Sequence, residues 1–153
     1  MTGREEKREN DLFFVCSLIE YLGRKTKNAR AKIVTALGDA ELSRLYELAD
    51  VFHSETLDNL ADKLIKKFNI LQGNYDNVAT CKYNVPTHFD IGKVYKRLII
   101  SVADNKKIDI ITALKDVYSS PFALKLDDYN SSLFYENPDY VYSSFALGKA
   151  VGD

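Results

Sequence analysis

The chain has 153 residues, 46% of them hydrophobic, enough to bury a core in one domain or two small lobes. Its 21 basic and 22 acidic residues leave a net charge of -1, spread evenly, with twelve of each sign in 1–70 and nine basic against ten acidic in 71–153. That balance excludes a whole-molecule field that would draw the protein to nucleic acid or to a membrane surface.

The N-terminal stretch is charged in both signs, and no apolar run approaches membrane-spanning length, so a cytoplasmic protein with no membrane contact is expected. From Glu5 to Leu22, the positions Leu12, Val15, Cys16, Ile19 and Leu22 share one helical face, with Gly23 as a stop. Ala29, Ile33, Val34 and Leu37 form a shorter stripe ended by Gly38, and Asp39 is placed to cap the next helix, which carries Leu42, Leu45, Tyr46, Ala49 and Phe52. Ser54 or Thr56 caps a fourth helix facing inward through Leu57, Leu60, Ala61, Leu64, Ile65 and Phe68. Residues 1–70 thus read as a four-helix unit.

Asn69 to Val85 has no helical period, and the stretch 71–86 reads as a connector or short hairpin. Helical period returns from Thr87 or Asp90 through Ile91, Val94, Tyr95, Leu98, Ile99 and Val102, and again over Ile108 to Tyr118. Pro121 stops that helix or restarts the chain, and Phe122 to Glu136 stays open between a short helix and extended structure. Asn137 followed by Pro138 starts a last helix ending near Gly148. Thr80–Val85 and Lys125–Tyr129 are the two stretches that tolerate a strand. The fold expected is mainly α, a compact bundle of about six to eight helices, with 87–153 as an aromatic-rich unit packed with 1–70 or forming a second lobe.

Two cysteines do not make a disulfide framework, so Cys16 and Cys81 are expected to be free thiols. With His53 and His88 they fall in no metal-ligand spacing, and no metal or other cofactor is expected. No GxSxG, glycine-rich phosphate loop or family-type cysteine signature is present, and the Ser119-Ser120, Ser131-Ser132 and Asp127-Asp128 pairs read as caps and turns. His88, Asp90, Tyr95 and Arg97 are the nearest approach to an unfamiliar active site, and catalysis is not the favoured reading.

Two segments invite a binding function. Arg24, Lys25, Lys27, Arg30 and Lys32 form one dense basic cluster leading into a short helix, an outline that suits helical DNA or RNA binding. Tyr118, Phe122, Tyr129, Phe134, Tyr135, Tyr140, Tyr142 and Phe145 place eight of eighteen aromatics in the C-terminal stretch, alternating with Asn, Ser and Asp. Core packing and a protein-binding surface compete for them; Tyr129, Phe134, Tyr135, Tyr140 and Tyr142 are the candidates for the surface.

The run Phe13-Phe14-Val15-Cys16-Ser17-Leu18-Ile19-Glu20-Tyr21, with Tyr46-Glu47-Leu48-Ala49-Asp50-Val51-Phe52-His53, resembles small uncharacterised bacterial helical proteins encoded beside ADP-ribosyltransferase-like proteins. Asp90 to Ile99, Tyr129 to Ser132 and Asn137 to Tyr142 resemble the companion part of such loci; Ser54 after His53 departs from a His-Thr pattern associated with that family. The resemblance implies a neutralising or regulatory partner in a toxin–antitoxin-like or mobile-element system, and it carries no catalytic residues. The function expected is therefore non-enzymatic binding of a protein partner, with homodimer formation open, and nucleic-acid binding through Arg24–Lys32 as the alternative.

Overall fold

The computed structural model describes residues 3–148. In chain order the helices are α1 (Gly3–Thr26), α2 (Arg30–Glu47), α3 (Ala49–Phe52), α4 (Leu57–Lys67), α5 (His88–Lys106), α6 (Ile110–Ser119), α7 (Pro121–Leu126) and α8 (Pro138–Leu147). A 3-10 turn, Leu133–Tyr135, lies between the last two, and no strand occurs among the described residues. The fold is an all-helical bundle.

Residues Phe14 to Glu20 of α1 are all buried, because α2, α4 and α5 pack around that helix. A helix covered on every side is the centre of a bundle rather than one of its walls. Leu12, Val15, Leu18, Ile19 and Leu22 meet Ile91, Tyr95, Leu98, Ile99 and Val102 of α5 in one hydrophobic cluster that draws on both halves of the chain. Each such fully buried aliphatic side chain contributes about 1.5–3 kcal/mol. α6 seals the other side of α5 through Ala113, Leu114, Val117 and Tyr118, and the Tyr118 ring stacks on Tyr95 at 4.3 Å.

Several ends are set by local chemistry. The Thr56 hydroxyl accepts from Asn59 N at the start of α4, and Thr87 with Asp90 forms a reciprocal capping box on α5. Asp109 caps α6, Ser120 followed by Pro121 opens α7, and Asn137 followed by Pro138 opens α8. Gly38, at φ 77°, breaks α2 in the middle, a backbone setting natural to glycine. Asp39 sends its carboxylate to Lys115 of α6 at 2.9 Å.

Three local expectations fail. Gly23 does not stop α1, which runs on to Thr26; the residue is glycine because the Arg30 side chain lies across it, where an added Cβ would stand 2.3 Å from Cδ of Arg30. Thr80–Val85 is irregular and Lys125–Tyr129 is the end of α7 and a turn, so neither is a strand. No helix among the described residues is long and apolar enough to cross a membrane. Cys16 and Cys81 are free, and burial pushes the Cys16 thiol up to about 12.

Candidate functional site

The C-terminal segment that follows α7 rests on a buried polar network. Glu20 and Arg30 are each 1% exposed, and the guanidinium grips the carboxylate twice, Nε to Oε1 and Nη2 to Oε2, both at 2.9 Å. Arg30 also donates to Asn28 O at 2.9 Å and to Asn77 Oδ1 at 3.0 Å. Arg24 gives Nε to Glu20 Oε2 at 2.7 Å and Nη2 to Pro86 O at 2.7 Å, and the Tyr129 hydroxyl closes on the same Glu20 oxygen. Such pairing is what makes a buried ion pair tolerable, since an unpaired charge here would forfeit its hydration with no return.

From Asn77 the network passes to α7 and α5. The Asn77 amide donates to Asp127 O at 2.9 Å, and the Tyr95 hydroxyl donates to Asp127 Oδ1 at 2.7 Å. Burial raises the Glu20 carboxyl, but the hydrogen bonds and charge of Arg30, joined by Arg24 and Tyr129, outweigh it and hold the group below the usual carboxylate range. Asp127 has no such cation in contact. Burial first, and the Glu20 charge second, push its carboxyl up to about 7.

On this base stands a set of surface hollows around the segment from Asp127 to Glu136. One of them, about 570 Å³, is lined by Tyr83 and Tyr135 together with Asn84, Asn130 and Ser132. Tyr83 is 68% exposed and Tyr135 70%, large values for tyrosines edging one groove. A hollow of about 340 Å³ adjoins it at Ser131 and Ser132 and reaches Asp128, Glu136 and Tyr140; another of about 350 Å³ lies between Asn74, Tyr75 and Asp128. The groove walls are held in register by Asn130, whose side chain accepts from Lys82 N at 2.7 Å and donates to Thr80 O at 3.0 Å. These are the two bonds a neighbouring strand would otherwise offer.

The aromatic candidates divide accordingly. Tyr129 is buried in the network, and Phe134 is buried edge-on to it at 5.8 Å, so both support the groove from below. Tyr135 stands at the surface, its ring tilted against Phe134 with centroids 4.2 Å apart. Tyr140 and Tyr142 are half-buried, the former bordering the second hollow. Tyr118 and Phe122 belong to the core. Tyr83 was not among the aromatic candidates; its signal is the polar-flanked run Lys82-Tyr83-Asn84 in the connector, far from the C-terminal cluster in sequence.

The basic candidates divide, two turning inward and three staying at the surface. Arg24 and Arg30 are in the network, Lys25 bridges Asp58 at 2.5 Å and Asp62 at 3.0 Å, and Lys27 lies 3.8 Å from Asp76. Lys32 is exposed. The four residues nearest to an active-site set do not converge: Asp90 caps α5, Tyr95 is in the core, His88 packs edge-on against Tyr21 at 5.2 Å, and Arg97 borders a separate hollow with Phe134. Among the described residues no group of three or more His, Cys, Asp or Glu is placed to hold a metal ion. Comparison of the chain with protein-family models, with curated proteins and with solved structures gives no match.

Proposed function

We propose that this chain is a non-enzymatic binding protein that holds another protein in the groove between Tyr83 and Tyr135, acting in the cytoplasm as a neutralising or regulatory partner. The observation that carries the reading is the pair of exposed tyrosines edging a groove of about 570 Å³. Tyrosine combines a large apolar ring with a hydrogen-bonding tip at low entropic cost, which is why it dominates binding hot spots. Asn84, Asn130 and Ser132 supply amide and hydroxyl groups between the rings, suited to a peptide chain. The floor is braced by the Glu20–Arg30–Asn77–Asp127 network, so little ordering cost remains for association. The resemblance of the Phe13–Tyr21 and Tyr46–His53 runs to proteins encoded beside ADP-ribosyltransferase-like proteins favours neutralisation of a neighbour as the purpose.

The test is capture of partners from the native host by the tagged chain, side by side with Tyr135→Ala and Tyr83→Ala, with helical content followed by circular dichroism. A partner retained by the native chain and weakened about tenfold or more by either substitution, at unchanged helicity, supports the reading. A partner held equally by all three chains, or none held at all, overturns it.

A further inference from the structure

Resting on that reading, we infer that the segment received by the groove is basic and arginine-bearing. From Leu126 to Gly148 the chain carries Asp127, Asp128, Glu136 and Asp139 and neither lysine nor arginine. Asp128, Glu136 and Asp139 are exposed, and none of the three enters an ion pair among the described residues. Exposed carboxylates elsewhere divide: Asp39, Asp50, Asp58, Asp62 and Asp104 each meet a lysine or arginine, whereas Glu6, Glu47, Asp90 and Asp116 meet none among the described residues, so it is the clustering of unpaired carboxylates beside exposed tyrosines that sets this segment apart. Two cations line hollows with these groups: Lys125 with Asp128 and Glu136, and Arg97 with Tyr135 and Glu136.

The free carboxylate oxygens and the rings are complementary to one kind of side chain. Asp128 uses Oδ1 to accept from Asn130 N at 3.0 Å, and Glu136 uses Oε1 to accept from Ser132 Oγ at 3.3 Å, which leaves the other oxygen of each without a hydrogen bond among the described residues, at a hollow that both residues line. A guanidinium is flat, stacks on a tyrosine face and presents N–H groups to a carboxylate in the same plane, whereas an ammonium is a strongly hydrated point charge. Tyr83 and Tyr135 give the faces, and Asp128 and Glu136 give the anions beside them. Arginine and tyrosine are also the residue types that interfaces favour over lysine.

The experiment titrates the full chain with a fluorescent peptide of alternating arginine and serine, and in parallel with its lysine and glutamate counterparts and a labelled single-stranded DNA. Saturable binding of the arginine peptide is expected, weaker for lysine and absent for glutamate, falling as salt rises. Both D128N/E136Q and Y135A should weaken it about tenfold. The amide replacements keep the local acceptors, so the fold is preserved and circular dichroism should not change. Equal binding of the three peptides, preferential binding of the DNA, or no effect of D128N/E136Q overturns the inference. A dimer in sedimentation that dissociates on D128N/E136Q overturns it too, by making a second copy the occupant. If a captured host partner depends on Tyr135 but not on D128N/E136Q, the groove stands and its basic occupant falls; if it depends on neither, both fall.

Discussion

Two charged segments of this chain have opposite fates. The basic run Arg24–Lys32 folds its charges inward or onto nearby acids, with Arg30 1% exposed and Lys25 held by Asp58 and Asp62. The acidic, aromatic run that follows α7 leaves Asp128, Glu136 and Asp139 without an ion pair among the described residues and Tyr135 70% exposed. Linear charge density therefore identifies neither surface: what matters is whether opposite charge is brought alongside by the fold. In the first segment it is, because Glu20 lies on the same face of α1 as Arg24 and under the start of α2. In the second it is not, and the charge remains for something else.

The contrast breaks most forcefully at Arg30. Arg30→Ala leaves Glu20 buried with fewer donors, and losing one partner of a buried pair costs about 3–5 kcal/mol. Melting should fall by roughly 10 °C for a chain of this size, and urea unfolding should show the same loss. A melting point within experimental error of the native one would mean that the pair is solvated and that the basic segment is a surface after all.

An effect of comparable size, but with a pH signature, is expected from Asp127→Asn. The carboxyl is pushed from 3.8 in the unfolded chain up to about 7 in the folded one. Between those values the folded state binds the extra proton, so this group's contribution is full below about pH 4 and is lost as pH rises toward 7. Asparagine stays neutral throughout. The stability of the variant relative to the native chain should therefore climb across that window, by about 1.4 kcal/mol per unit of pKa displacement, and be flat on either side. Glu20, held below its usual range, acts with the opposite sign, its contribution lost as pH falls. Unfolding both chains in urea from pH 4 to 8 isolates Asp127, and a constant difference would show that it is ionised throughout.

Gly23→Ala probes the same network by crowding. Alanine is the better helix former by about 1 kcal/mol, but its Cβ would meet Arg30 Cδ at 2.3 Å and displace the guanidinium from Glu20. A net loss of about 1–3 kcal/mol is expected. In an Arg30→Ala background that loss should vanish, and a double-mutant cycle gives the coupling directly. A loss that persists there would place the clash with some neighbour other than Arg30.

Much of the helical layout was legible because its signals are local. The three- and four-residue stripes of α1, α4 and α5, a cap at Ser54 or Thr56, a start at Thr87 or Asp90, and the Asn137-Pro138 start each need only a few neighbouring residues to be recognised. What escaped was non-local. Gly23 carries the same local signal whether it ends a helix or makes room for a side chain, and Arg30 looks like a surface cation until Glu20, Asn77 and the turn between α1 and α2 are assembled around it. The aromatic cluster could be located but not divided, because Tyr129 and Phe134 differ from Tyr135 only in which side of a short turn they face. Tyr83 joins the groove because Asn130, with Asn77 and Cys81, ties the connector to the C-terminal segment across a long separation in sequence.

The smallest effect is expected where the basic segment is still accessible. Replacing Lys25, Lys27 and Lys32 together with glutamine removes the cations left at the surface once Arg24 and Arg30 are in the network. Exposed pairs of this kind add little to stability, since water and salt screen them, so melting should shift less than in any variant above. Nucleic-acid binding normally draws on about six to ten phosphate contacts, and two of these three lysines already face Asp58, Asp62 and Asp76. The native chain and the triple variant should therefore be indistinguishable against labelled duplex DNA at physiological salt. A steep salt dependence present in the native chain and lost in the variant would reverse the comparison, making the basic segment the working surface and the acidic one its solvated counterpart.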